Sequence, residues 1–213
     1  MTTPLVKDRI YRSPQALIGG VLLLAIVGWL GIDALLRGHG HTPWLALAAL
    51  ILLVPLVVAF TLRPAVFAGE DRLRVRNPFR VITLPWGEIA ALRSGYSNEV
   101  IVKSGAKYQL WAIPVSLRSR KKAARRQTKA ESDAQGGRTG STGRVFGGLR
   151  EPSGAAGPLR AETDKIMDDL RQLLEQRGEA ESAQGEVTVR WAYEVAAPAI
   201  AGAVLLVILL AIG

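Results

Sequence analysis

The chain has 213 residues, of which 49% are hydrophobic and 21% are charged, and its formal net charge is +9 at pH 7. It contains no cysteine, which excludes disulfides, thiolate catalysis and cysteine-ligated zinc. The positive charge is concentrated between Arg63 and Lys129, where 15 Lys or Arg residues stand against 4 Asp or Glu residues. A concentrated basic region indicates an anionic partner, either a membrane surface or nucleic acid.

Three apolar segments are each long enough to cross a bilayer: residues 16–36, in which Asp33 is the one ionisable group, and residues 43–62 and 195–213, which have none. About 20 residues, rising about 1.5 Å each in a helix, span a hydrocarbon core of about 30 Å. A cleaved signal peptide is the alternative for the first segment, but its apolar run is longer than usual and no A-x-A-like site follows. We therefore predict a two-helix transmembrane hairpin over residues 16–62 and a third transmembrane helix over residues 191–213.

Basic residues flank the predicted hairpin on one side: Lys7, Arg9 and Arg12 precede its first helix, and Arg63, Arg72, Arg74 and Arg76 follow its second. The turn between the two helices carries only Arg37. Because cytoplasmic loops carry an excess of Lys and Arg, we predict a multi-pass protein of the cell membrane. Its N-terminus, residues 1–15, and the region between the second and third helices should both be cytoplasmic.

Polar residues in and beside the hairpin have two interpretations each. Asp33 could be a proton-relay carboxylate, but Arg37 lies four residues later, where a helical ion pair forms, and we favour the pair. His39 and His41 could be metal ligands, but no Cys or carboxylate stands beside them, so we expect a solvated turn and no metal site. Pro55 is expected to kink the second helix.

Alternating polar and apolar residues begin directly after the second helix. Strands are predicted over residues 65–68, 72–76, 80–84, 90–96, 99–103 and 107–112. Ser104-Gly105-Ala106 is a typical hairpin connection, and residues 85–89 read as a break or one helical turn. Residues 63–116 should therefore form a small β-barrel or sandwich. Trp86, which follows a strand and a proline, is expected in its core rather than in contact with a ligand.

The rest of the cytoplasmic region divides by composition. Residues 117–129 predict a basic helix, and residues 130–158, which have almost no large apolar residues, predict a disordered linker. Residues 159–178 form an amphipathic helix with Ile166, Leu170, Leu173 and Leu174 on one face, and Gly178 is a natural C-cap. A second polar linker, residues 179–190, leads to the third transmembrane helix.

The run from Arg63 to Arg93, RPAVFAGEDRLRVRNPFRVITLPWGEIAALR, resembles the bacterial PH-domain membrane proteins, and within them the low molecular weight protein antigen 6 family. The shared features are the Arg-Leu-Arg-Val strand, the Asn-Pro turn and the Pro-Trp-x-x-Ile break that ends at Ile89. The resemblance covers about residues 63–114. It implies an α+β membrane protein with a PH-like domain and a C-terminal amphipathic helix, and it implies no reaction. The insertion of residues 130–158 before that helix departs from a compact PH domain.

No catalytic or phosphate-binding motif was found in the sequence. The run Gly136 to Arg144, GGRTGSTGR, lacks the Gly-Lys-Ser/Thr ending of a phosphate loop and a preceding strand, so we expect no enzyme and no cofactor. The expected function is a membrane-anchored PH-like binding or scaffold module that contacts anionic lipid or a partner protein. The alternative is an accessory subunit of a larger membrane transport or signalling complex.

The candidate binding residues are the seven basic residues of the predicted basic helix: Arg118, Arg120, Lys121, Lys122, Arg125, Arg126 and Lys129. Five of them share one helical face, which suits a flat surface of anionic head groups. A solvated helix that only enforces cytoplasmic retention is the alternative interpretation. Nucleic acid is not the expected partner, because the segment has no interleaved aromatic residues and no nucleic-acid-binding motif.

Overall fold

A computed structural model describes residues 8–114 and 158–212 of the chain. Its α-helices are α1 (Pro14–Arg37), α2 (Thr42–Val57), α3 (Pro158–Arg177) and α4 (Tyr193–Ile212). A π-helical turn, Val58–Leu62, extends α2. By length and composition, three helices could cross a membrane: α1, α2 together with its π-helical turn, and α4.

Eight short strands form two antiparallel sheets. The strands are β1 (Arg9–Tyr11), β2 (Ala65–Ala68), β3 (Arg72–Arg76), β4 (Arg80–Pro85), β5 (Ile89–Ser94), β6 (Asn98–Val102), β7 (Lys107–Gln109) and β8 (Thr188–Trp191). The five-stranded sheet has the order β1-β2-β3-β4-β8, and the three-stranded sheet has the order β5-β6-β7. A 3₁₀ turn, Trp86–Glu88, carries the chain from one sheet to the other.

The expected α+β class is confirmed. Of the two forms predicted for the β domain, a barrel or a sandwich, the barrel is wrong for the described residues. There, β4 pairs with β3 and β8, and β5 pairs only with β6, so the two sheets stay separate. The physical reason is that β1 and β8, which come from outside residues 63–116, take the two edges of the larger sheet. The result is a two-sheet arrangement with no closed barrel.

The domain core lies between the inner faces of the two sheets. Residues alternate between the core and the exterior along β3, where Leu73 and Val75 are fully buried and the three arginines of the strand are not. Helix α3 covers this core with Met167 and Leu170, which are also fully buried. The amphipathic helix expected over residues 159–178 is thus present, and Gly178 donates its backbone N–H to the Leu174 carbonyl at 2.8 Å.

Helix α2 lies between α1 and α4 and packs closely against α4 at Gly202. A Cβ built on Gly202 would lie 2.4 Å from the Leu52 backbone nitrogen and 2.8 Å from the Ile51 carbonyl carbon. Pro55 has no N–H to donate to the Ile51 carbonyl four residues earlier. The two helices therefore approach where α2 lacks one of its own hydrogen bonds, a contact that small residues permit between apolar helices.

The segments predicted on either side of the amphipathic helix have different outcomes. Residues 117–129 and most of the expected linker 130–158 lie outside them, so the structure gives no account of the basic helix. Within residues 179–190, expected as a polar linker, the structure places a second 3₁₀ turn, Glu181–Ala183, and the first three residues of β8.

Candidate functional site

All three membrane-length helices join the five-stranded sheet at the same end of its strands. Strand β1 ends at Tyr11 just before α1, β2 begins at Ala65 just after the π-helical turn, and β8 ends at Trp191 just before α4. The register brings these ends together, since Tyr11 pairs with Val66, Ala65 with Arg76, and Arg80 with Trp191. We call this boundary, formed by Tyr11, Ala65, Arg76, Arg80 and Trp191, the junction edge.

Arg63 lies between the end of the π-helical turn and the start of β2, and it connects two of the three helices. Its Nη1 atom lies 2.8 Å from Oε1 of Glu194 in the first turn of α4. The Arg63 side chain is only 12% exposed, whereas that of Glu194 is 63% exposed. The Arg63 Nε atom is buried and has no hydrogen-bond partner among the described residues. The pair therefore satisfies only part of the guanidinium.

Arg76, at the end of β3, lies in a strongly positive environment. Its pKa is lowered first by burial and then by the positive charges of Arg63, Arg74 and Arg12, while Glu194 acts in the opposite direction. Like charges and burial both disfavour the charged form of a basic group. The positive potential at this end of β3 is therefore only partly balanced by protein carboxylates.

Aromatic side chains surround the same edge. Phe60 of the π-helical turn packs edge-to-face against Phe79, at 5.4 Å between ring centroids, and against Trp111, at 5.6 Å. The Arg80 guanidinium carbon lies 4.2 Å from the centre of the Trp191 ring. Trp111 and Trp191 are both about half exposed. Indole rings favour the boundary between membrane and water, so these residues suit a site beside the bilayer.

The outer face of the five-stranded sheet is also basic. Arg74 lies above the Phe67 ring, with its guanidinium carbon 4.5 Å from the ring centre, and Arg76 approaches the same ring at 5.3 Å. Arg74 also faces Asp8 across 3.9 Å, an exposed and weak ion pair. The alternation of β3 thus presents its arginines together on one face.

The predicted residues have mixed outcomes. The seven basic residues from Arg118 to Lys129 lie outside the described residues, so their role stays a prediction. The pair between Asp33 and Arg37 is confirmed at 3.1 Å, with both side chains exposed. Trp86 is confirmed in the core at 0% exposure. Across residues 8–114 and 158–212, no group of three or more His, Cys, Asp or Glu could hold a metal ion.

Sequence reasoning missed the junction edge itself. It interpreted Arg63 and Arg76 as topology signals, Arg76 also as the end of a strand, and gave no role to Glu194, which lies within the helix predicted over residues 191–213. The pairing of Arg63 with Glu194 joins residues 131 positions apart, so no local pattern could indicate it. The one available signal was that basic residues occur directly beside all three apolar segments.

Residues 63–136 match the family model described as a bacterial PH domain. No match was found among the curated proteins, and none among the solved structures. The matched segment begins at Arg63 and includes strands β2 to β7. The chain therefore carries a bacterial PH domain, as the resemblance from Arg63 onward implied, and the finer resemblance to the low molecular weight protein antigen 6 family stays a prediction.

Proposed function

We propose that this protein is a membrane-anchored binding module, whose PH domain is held at the inner face of the cytoplasmic membrane to engage anionic head groups or a partner protein. PH domains are generally non-catalytic binding modules, which agrees with the lack of a catalytic motif in the sequence. The observation that carries the proposal is the junction edge, where three membrane-length helices enter one sheet. A domain attached in this way stays beside the bilayer and cannot diffuse from it.

The distribution of charge supports a cytoplasmic location for the domain. Arg12, Arg63 and Arg190 each stand within three residues of the domain-side end of an apolar helix. The opposite turn, between α1 and α2, carries only Arg37, which is paired with Asp33. A reporter that is active only in the cytoplasm should function when fused after Lys129 and fail when fused after Gly213. The reverse pattern would overturn this orientation.

The last described residue before the basic segment, Pro114, follows an aromatic contact at the junction edge, which supports a role for that segment. Trp111 packs against Phe60 at the end of the second membrane-length helix, and Pro114 follows three residues later. The buried Asn98 side chain donates to the Pro114 carbonyl at 3.2 Å, which fixes this point of the chain. Arg118 is four residues further, so it lies within about 14 Å of Pro114 even if the chain is fully extended.

Such closeness supports binding of the seven basic residues to anionic lipid. Each Lys or Arg near an anionic leaflet contributes about 1 kcal/mol, and the attraction falls off within a Debye length of about 8–10 Å. We therefore expect the segment to contact the head groups while the described domain stays folded.

The absence of cysteine permits a direct test on the full chain. A single cysteine, Ser119→Cys, carries a fluorophore, and the protein is placed in nanodiscs that contain a quencher attached to the head groups. We expect strong quenching in discs with anionic lipid, weak quenching in zwitterionic discs, and a loss of quenching as salt rises. Changing all seven basic residues to Gln should remove the difference between the two disc types.

Two results would contradict the lipid contact. Equal quenching in anionic and zwitterionic discs would show that charge does not hold the segment at the membrane. Unchanged quenching in the seven-residue variant would show that other residues make the contact. If the segment stays away from the bilayer while a membrane complex is retained after mild detergent extraction, the accessory-subunit alternative is supported instead.

A further inference from the structure

Three arginines meet at the junction edge from different parts of the chain. Arg12 lies between β1 and α1, Arg63 precedes β2, and Arg76 ends β3. The register pairs Tyr11 with Val66 and Ala65 with Arg76, which places Arg12 and Arg76 on either side of the start of β2. The charges of Arg12 and Arg63 both lower the pKa of Arg76, which agrees with this placement. We call Arg12, Arg63 and Arg76 the junction arginines.

Protein carboxylates balance these arginines only in part. Glu194 binds Arg63 at 2.8 Å and, among the described residues, is the carboxylate that raises the pKa of Arg76. Asp8 lies 3.9 Å from Arg74, and both side chains are about half exposed to water. Arg74 itself adds a fourth positive charge near Arg76. The cluster therefore keeps an excess of positive charge.

One donor of the cluster has no partner in the described part of the chain. The Nε atom of Arg63 is buried, and its side chain is 12% exposed, yet no acceptor is bound to it there. A buried donor left without a partner costs about 1–3 kcal/mol, more when the group is charged. Because that atom is buried, a ligand would reach the cluster through Arg12, which is exposed, and Arg76, which is partly exposed.

We propose that the junction arginines bind the phosphate group of an anionic phospholipid from the surrounding leaflet. The proposal rests on the proposed function, because it requires that the three helices cross the membrane. In that case the junction edge lies at the level of the lipid phosphates, just beyond the ends of the apolar helices. Arginine matches phosphate oxygens with its planar set of donors. The site is separate from the basic segment that begins at Arg118.

Glu194 has a defined role in this site. It holds Nη1 of Arg63 and so competes with the phosphate for part of the guanidinium. The lipid would use exposed Arg12 and partly exposed Arg76, beside the largely buried Arg63 guanidinium that Glu194 holds. Removing the Glu194 charge should therefore strengthen lipid binding, whereas a purely structural pair would give no such gain.

The test uses the full chain, purified in a neutral detergent and freed of lipid. Short-chain phosphatidylglycerol, phosphatidylcholine and inorganic phosphate are titrated separately, and native mass spectrometry counts the bound molecules. We expect saturable binding of one phosphatidylglycerol and weaker binding of phosphatidylcholine. Arg76→Gln should weaken phosphatidylglycerol binding about fivefold, the factor expected for one basic residue near an anionic surface. Glu194→Gln should tighten it.

Arg93→Gln is the matched control, because Arg93 is exposed on β5 of the other sheet and the chemical change is the same. Equal binding by the Arg76→Gln and Arg93→Gln variants would overturn the proposal, as would unchanged or weaker binding after Glu194→Gln. Arg63→Lys keeps the charge without the planar donors, so it should lie between wild type and Arg76→Gln. If inorganic phosphate binds as tightly as the lipid, the site recognises free phosphate and the lipid assignment is wrong.

A failure of this lipid site can be distinguished from a failure of the proposed function. The variant with seven Gln residues between Arg118 and Lys129 should retain the single tightly bound phosphatidylglycerol. Loss of that lipid in this variant, with no effect of Arg76→Gln, would assign the binding to the basic segment and refute the separate site. A reversed result in the topology reporter would instead overturn the membrane orientation.

Discussion

Replacing Trp86 by alanine is the most direct test of how the PH domain is held together. The Trp86 side chain is completely buried, and its Nε1 atom donates to the Gly69 carbonyl at 3.1 Å. Its backbone N–H also donates to the Asp71 carbonyl at 3.2 Å. Trp86 therefore fixes the turn between β2 and β3 to the 3₁₀ turn that connects the two sheets.

The expected loss follows from burial and from the lost hydrogen bond. A tryptophan buries about 200 Å² or more, which at about 25 cal/mol per Å² gives an upper bound of about 5 kcal/mol. Measured truncations of large aromatic residues cost about 3–5 kcal/mol. The lost hydrogen bond to the Gly69 carbonyl accounts for about 1 kcal/mol. Trp86→Ala should therefore cost about 4 kcal/mol, whereas Trp86→Phe should cost about 1–2 kcal/mol.

Pulse proteolysis in urea measures this loss on the full chain in a mild non-ionic detergent, because the domain unfolds while the apolar helices stay in the micelle. With a dependence of about 2 kcal/mol per molar urea, Trp86→Ala should lower the midpoint by about 2 M. Trp29→Ala makes the same chemical change on α1, where the side chain is 75% exposed, and should leave the midpoint unchanged. A shift below about 0.5 M for Trp86→Ala would refute the assignment of Trp86 to the core.

Three other changes test separate parts of the structure. Deleting residues from Ser132 to Ala156 should leave the urea midpoint of the domain unchanged, because the segment has only three large apolar residues, Val145, Phe146 and Leu149; a collapsed midpoint would show that it is structural. Gly202→Ala should destabilise the helix bundle by about 1–3 kcal/mol, since the new Cβ meets the α2 backbone. Gly28→Ala adds a Cβ with nothing within 4 Å and should not destabilise the bundle. Equal thermal stability of the two variants in detergent would contradict the close contact between α2 and α4. A fragment from Arg63 to Gly178 lacks both edge strands of the larger sheet, so it should self-associate through free strand edges; a stable monomer in size-exclusion chromatography would show that β1 and β8 are dispensable.

The central strands could be predicted because each has its own local signal. In β3 the alternation of arginines with Leu73 and Val75 is visible in five residues, and the structure buries the two apolar residues on one face. The Asn-Pro turn and the hairpin around Gly105, where φ is +84°, indicated where these strands end. The bounds of β2 and β3 are those expected, and the bounds of β4 to β7 differ by one to three residues, most in the short strand β7.

The two edge strands could not be predicted, because their signal is not local. Strand β1 has three residues, and its partner β2 lies more than 50 positions later. All four residues of β8 are exposed, so no alternation of buried and exposed positions marks it. Both strands are formed by pairing with an edge that the rest of the sheet provides. The same dependence on register explains why the junction arginines appeared in the sequence only as scattered basic residues.

The connections between sheet and helices are too short to act as flexible tethers, and each is fixed by a specific bond. Ser13 caps α1 by accepting from the Ala16 N–H at 3.3 Å, directly after β1. Arg63 binds Glu194, and the Ala192 N–H donates to the Phe79 carbonyl at 2.9 Å between β8 and α4. Because the sheet strands continue into the helices without a loop, the PH domain and the helices should move as one body.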